Sequence, residues 1–123
     1  MVGTAGEHLA CYDAFMNGYY CTMTSGSCTY DLVLENGKPL RVQVKSSTYS
    51  KANNRGSLQF NLYRRNSMGN ALYDDIDLWA LVDVNRRMVA WLTRNELDGV
   101  TKFSIQREEF MTYSLIGAVD RTC

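Results

Sequence analysis

Histidine, proline and long apolar runs are all scarce in this chain. His8 is the single histidine among 123 residues, and Pro39 the single proline. The four cysteines, Cys11, Cys21, Cys28 and Cys123, form no C-x-x-C pair. With one imidazole they do not complete a zinc set. His8 has no nucleophile at a recognisable spacing, so zinc hydrolysis and Ser–His or Cys–His catalysis are left without their parts. No apolar run approaches the ~20 residues of a membrane span. Met1–Glu7 shows no basic patch followed by an apolar stretch, so no export leader is expected. The cysteines are therefore expected as free thiols in a reducing cytoplasm; two disulfides would be the alternative in a secreted chain.

What is present suits one globular domain over residues 1–123. The chain is 46% hydrophobic and 21% charged, which argues against disorder and against a coiled coil. The formal charge of zero hides three unequal parts. Residues 1–35 contain Glu7, Asp13, Asp31 and Glu35 and no Lys or Arg. Residues 36–73 contain Lys38, Arg41, Lys45, Lys51, Arg55, Arg64 and Arg65 and no acid at all. The remainder carries nine acids and six bases. Tyr49, Phe60, Tyr63 and several Asn and Gln residues lie among the central cations. That mixture suits a polyanion, because each cation neutralising a phosphate releases a counterion. Arg41, Lys51, Arg55, Arg64 and Arg65 are the candidate DNA-backbone contacts; a solvated basic loop is the plainer alternative.

The pattern predicts a helix over Thr4–Asn17, with Thr4 and Glu7 as a capping box and Leu9, Tyr12 and Met16 as its apolar stripe. Strands are predicted at 19–24, 30–35, 40–47, 76–84 and 88–92, with weaker extended signals at 58–63 and 102–106. Thr93 and Glu96 open a short helix ending by Gly99, and 107–120 fits helix and strand equally. The order implies an α/β domain with a mixed sheet.

One hairpin carries chemistry. With Asn36-Gly37-Lys38 at its tip, Glu35 faces Pro39, Val33 faces Arg41 and Asp31 faces Gln43. Opposed residues share a face and neighbours along a strand alternate. Leu32, Leu34, Val42 and Val44 then form a core face, and Asp31, Gln43 and Lys45 gather on the other. A slip of one residue would bury Lys45 and expose the valines, so the register is well determined. Asp31 offers a hard oxygen to Mg²⁺, Gln43 an amide oxygen beside it, and Val44 its backbone carbonyl. Lys45 can orient the attacking water and stabilise phosphorane charge, while a metal lowers the pKa of bound water. Glu7, on the first helix, is the best further acid. These are the parts of a phosphodiester hydrolase. Asp74, Asp75 and Asp77 read as a turn and strand start rather than a metal site, and Trp79 and Trp91 as packing residues.

Glu7 on an N-terminal helix, Tyr30-Asp31-Leu32 on a strand and Val42-Gln43-Val44-Lys45 on the next resemble the PD-(D/E)XK nuclease superfamily. Ile76-Asp77-Leu78-Trp79 followed by Met88-Val89-Ala90-Trp91 resembles the later strands of that core. The likeness is nearest to the group-I-intron homing endonuclease branch, which also has Gln in a Q-x-K motif, and more distant to archaeal-type Holliday junction resolvases. It implies a restriction-endonuclease-like mixed β-sheet flanked by helices, with a glutamate on the N-terminal helix. It also implies a Mg²⁺-dependent DNA endonuclease (Mn²⁺ a possible substitute), acting as a homodimer or homotetramer in a bacterial or phage-infected cytoplasm. Asp31 and Glu7 would organise metal, Gln43 would fill the second acidic position, and Lys45 would be the catalytic lysine. Tyr30 replaces the motif proline, and Gln43 removes one negative charge, leaving the number of metals open. A junction resolvase and a DNA-binding module without catalysis are the alternatives.

Overall fold

The computed structural model describes residues 1–24, 30–47, 56–62 and 75–122. Its centre is the predicted hairpin. β2 (Leu32–Glu35) and β3 (Pro39–Ser47) pair antiparallel, Val33 opposite Arg41 and Glu35 opposite Pro39. Gly37 supplies the positive φ of 89° that the turn requires. β1 (Tyr20–Met23) adds to the outer edge of β2, again antiparallel. On the other side β5 (Leu78–Asp83) runs parallel to β3, and β6 (Met88–Thr93) antiparallel to β5. The result is a five-stranded mixed sheet in the order β1-β2-β3-β5-β6. β4 (Ser57–Asn61) and β7 (Lys102–Gln106) form a separate two-stranded sheet.

Alternation along the strands gives the main sheet two covered faces. Leu32, Leu34, Val42, Val44, Ala80 and Val82 pack with α1 (Val2–Met16) and with Leu115 and Ala118 of α2 (Leu115–Thr122). Trp79, Leu81, Ala90 and Leu92 pack instead with Leu58 and Phe60 of β4, Ile105 of β7 and Phe110. Every residue of β5 is buried, as expected of a strand covered on both faces. Both tryptophans are packing residues, 2% exposed at Trp79 and fully buried at Trp91. Buried Asp83, at the end of β5, is paired with Arg86 Nε at 2.8 Å, and Arg86 also donates to the Arg107 carbonyl. This bond joins the β5–β6 turn to the tail. The ambiguous tail resolves into a 3-10 segment, Arg107–Thr112, followed by α2.

Three expectations for the N-terminal region are corrected. α1 begins at Val2 and has no side-chain cap, so Thr4 lies inside the helix and the Thr4–Glu7 capping box does not form. The inward stripe is Gly6, Ala10, Cys11 and Ala14, while Tyr12 and Met16 are exposed. The small residues let the helix backbone approach the sheet closely. Finally, Cys11 and Cys21 are joined in a disulfide between α1 and β1 rather than being free thiols. The intervening loop is short, which favours the pairing once the helix lies across the sheet. The Thr93–Glu96 capping box is present, Glu96 Oε1 accepting the Thr93 N–H at 2.8 Å and Thr93 Oγ1 accepting the Glu96 N–H at 3.1 Å. Burial raises the Glu96 pKa, but these bonds and Arg121 outweigh it and hold the carboxyl below its usual range.

A second tie holds α1 down. The buried Trp91 indole N–H donates to Asp13 Oδ2 at 2.7 Å, joining the helix to β6. Burial raises the Asp13 pKa above 3.8, and the indole bond offsets only part of that rise. A raised carboxyl binds its proton more tightly in the folded chain than in the unfolded one. Its ionisation therefore costs stability above the folded pKa, and the cost is relieved as pH falls toward the unfolded value. Asp13→Asn should flatten the dependence of the urea midpoint on pH between the unfolded value and neutrality; an unchanged profile would show that Asp13 is not its source. Reducing Cys11–Cys21, which closes a separation of 10 residues, should lower stability by about 3 kcal/mol by the loop-entropy estimate. Thermal melts with and without reductant check this.

Candidate active site

The site forms where the β2–β3 ladder stops. The regular pairing ends at Leu32. One residue earlier, the Asp31 N–H donates to the Val42 carbonyl at 2.8 Å, and Asp31 Oδ2 accepts the Val44 N–H at 2.8 Å. These two bonds bracket Gln43, so the expected juxtaposition of Asp31 with Gln43 is present. The carboxylate does not stand on one face of the sheet, as the alternation predicted. It turns into the plane of the sheet and takes the place of a backbone acceptor. The Val44 N–H and carbonyl leave the same side of β3, so the carbonyl also points past the end of β2.

That turn explains how Glu7 joins the site. Gln43 and Lys45 are in register with Trp79 and Leu81, on the face covered by β4 and β7. α1 covers the opposite face, where Gly6 packs against Ser46. Glu7 thus belongs to the helix over one face and Lys45 to the register of the other, while the Asp31 carboxylate is bonded to the β3 backbone. Glu7 has a raised pKa, caused first by burial and then by the charge of Asp31, with His8 acting weakly the other way. The two acids are therefore close enough to repel.

Gln43 is only 4% exposed, and its Oε1 is buried with no hydrogen-bond partner. Leaving a buried amide oxygen unpaired costs about 1–3 kcal/mol. Asp31 is bonded to the residues on either side of Gln43, and a carboxylate and a buried amide oxygen without a partner are donors of the kind Mg²⁺ takes. Among the described residues no three His, Cys, Asp or Glu side chains gather as a metal cage. A metal here would therefore need the amide as well as the two acids.

The remaining expected residues divide clearly. Arg41 is half-exposed, and Asp77 holds it in place. Asp77 Oδ2 accepts the Arg41 N–H at 2.8 Å and lies 3.6 Å from Arg41 Nε. Asp77 is thus a strand-start residue, as expected. Lys51, Arg55, Arg64 and Arg65 lie outside the described residues. Sequence reasoning missed Gly6. A Cβ there would overlap Ser46 Oγ and sit 2.9 Å from Ser46 Cβ, so this glycine sets the closeness of α1 to β3 and hence the position of Glu7. Its signal was its place beside Glu7 in a helix interior, where glycine is otherwise unfavourable.

The fold defined by this sheet and its flanking helices is of the homing-endonuclease kind. It superposes on the structure of a bacterial homing endonuclease, I-Ssp6803I, with a TM-score of 0.70 and 17% identity, covering 98% of this chain and 93% of that one. At that identity the likeness is one of fold. No protein-family model matches the chain, and no curated protein matches it.

Gly6→Ala should destabilise the fold by about 1–3 kcal/mol through overpacking, and Gly6→Ala/Ser46→Gly should recover most of the loss. A double-mutant cycle from urea midpoints measures the coupling; simple additivity would show that this contact does not seat the helix. Glu7→Gln should raise the melting temperature at neutral pH without divalent ions, because it removes the cost of burying the charge and then the repulsion with Asp31; an unchanged or lower melting temperature would show that neither burdens the fold.

Proposed function

We propose that the chain is a single-domain, divalent-metal-dependent DNA endonuclease of the PD-(D/E)XK type, hydrolysing phosphodiester bonds in homing-type site cleavage. The observation that carries this reading is the buried, unpaired Gln43 Oε1 bracketed by the bonds of Asp31 to β3. The fold likeness to a homing endonuclease supports it. So does the run of seven cations without an acid over residues 36–73.

Asp31, Glu7, Gln43 and the Val44 carbonyl would hold Mg²⁺, with Mn²⁺ as a possible substitute. The ion would lower the pKa of a bound water and offset phosphate charge. The chain's own groups do the rest. Asp31 is locked by the Val44 N–H, so its carboxylate is oriented before DNA arrives. Lys45 follows Val44 on β3, one residue beyond the bond to Asp31, and is the proposed catalytic lysine. It orients the attacking water and stabilises negative charge developing on the phosphorus oxygens. Arg41, together with Lys51, Arg55, Arg64 and Arg65, would neutralise backbone phosphates. Among the described residues no helix is long and apolar enough to cross a membrane. A bacterial or phage-infected cytoplasm, where DNA is accessible, is the proposed setting, one in which the Cys11–Cys21 pair would be open to reduction, and a homodimer or homotetramer the proposed assembly.

The test is nicking of duplex DNA in Mg²⁺ by the wild type, Lys45→Ala and Asp31→Asn. Each variant should lose at least about 100-fold in rate, the scale of one transition-state electrostatic contact. Mg²⁺ or Mn²⁺ should also raise the melting temperature of the wild type and not that of Asp31→Asn. Equal activity in all three proteins would remove the site. Cleavage of four-way junctions of unrelated sequence would favour a resolvase. Salt-dependent DNA binding with no cleavage in either ion would favour a binding module.

A further inference from the structure

A polar cavity of about 190 Å³ lies at the end of the main sheet where β3 begins. Three arginines line it, from elements far apart in sequence: Arg41 on β3, Arg94 just after β6, and Arg121 in the last turn of α2. Thr93 and Asn95 add neutral polar groups, and Asp77 is the one lining carboxylate. Asp77 is already committed to the strands. It accepts the Arg41 N–H, and its own N–H donates to the Arg41 carbonyl at 2.8 Å.

Two of the cations are steered by acids rather than cancelled by them. Arg41 Nε lies 3.6 Å from Asp77, and an Arg121 terminal nitrogen lies 3.2 Å from Glu96, with the arginine side chains 43% and 42% exposed. Such exposed pairs are weak. Each occupies only part of a five-donor guanidinium fork. The volume is below the roughly 300 Å³ at which drug-sized ligand pockets begin, and the lining is overwhelmingly polar. A small tetrahedral oxyanion fits these features, because guanidinium forks match phosphate oxygens in pairs.

We propose that this cavity is a phosphate-binding site, and that in use it takes a backbone phosphate of the DNA flanking the scissile one. The second half rests on the nuclease reading given above. Four residues of strand at about 3.3 Å each place Arg41 about 13 Å along β3 from Lys45. At a rise of about 3.4 Å per nucleotide, that spans a few phosphates of one strand. The site would anchor the backbone beside the cleavage point and set the distance from anchor to cut.

The test pairs two measurements on the full chain. The first is a titration with inorganic phosphate, read at the arginine Nε–H resonances. The second is the salt dependence of duplex binding by the wild type, Arg94→Gln and Arg121→Gln, with folding checked by thermal melts. Phosphate should shift the resonances of Arg41, Arg94 and Arg121 together. Each variant should bind duplex roughly ten-fold more weakly at low salt and lose about 0.9 from the slope of log affinity against log salt. Unchanged affinity and slope in variants that fold, with a wild type that binds and cuts, would overturn the site and leave the nuclease reading standing. If the wild type neither binds nor cuts DNA, the nuclease reading falls and the titration alone decides. Shifts at the three arginines would then keep an anion site for free phosphate, and their absence would overturn it. Should a variant fail to fold, the wild-type titration decides in the same way.

Discussion

A single hydrogen bond, from the Val44 N–H to the Asp31 carboxylate, organises the site. It substitutes a side chain for the backbone acceptor that a continuing β2 would have supplied. Pairing stops there, and the strand end opens. The same bond locks the carboxylate in the plane of the sheet, where groups from both faces can reach it. Without it Asp31 would either continue the ladder, closing the opening, or turn to one face and leave Glu7 on the other.

The arrangement is costly to the fold, and the rest of the molecule offsets the cost. Two acids approach closely enough for Asp31 to raise the Glu7 pKa. Gln43 Oε1 and Ser46 Oγ are buried without partners. Buried polar atoms without partners and neighbouring like charges are departures from ordinary packing. Around them the packing is conventional. Two apolar clusters cover the faces of the sheet, and the Asp13–Trp91 bond and the Cys11–Cys21 disulfide hold α1 in place. The helix that presents Glu7 is therefore fixed at points one or two turns beyond it. The helix's position, not its capping, puts the acid where it is.

Charge is organised on a longer scale. The acid-free segment 36–73 begins on the hairpin that carries Lys45 and Arg41. The far end of the sheet adds Arg94 and Arg121 from outside that segment, giving a second concentration of arginines near the start of β3. β3 itself is buried between α1 and the β4–β7 sheet, so a polyanion would meet these cations only at the two ends of the strand. Such spacing matters more to register on a backbone than does net charge, which is zero for the whole chain.

The mixed α/β class, the hairpin register and the company of Asp31 with Gln43 were legible in the residues alone. All three depend on period-two alternation and on a turn at Gly37, and both are local properties of the chain. Trp79 and Trp91 as core residues were legible for the same reason. The small-residue face of α1 was not, because helical periodicity drew attention to Leu9, Tyr12 and Met16, whereas close approach to a sheet selects Gly6, Ala10 and Ala14. The Cys11–Cys21 pairing, the Asp13–Trp91 bond and the approach of Glu7 to Asp31 arise only once helix and sheet have packed. So does the cavity that joins Arg41, Arg94 and Arg121. Each depends on how far a helix sits from a sheet, or on which strand ends meet. Those distances are set by packing across the whole fold and leave no periodic mark on the chain.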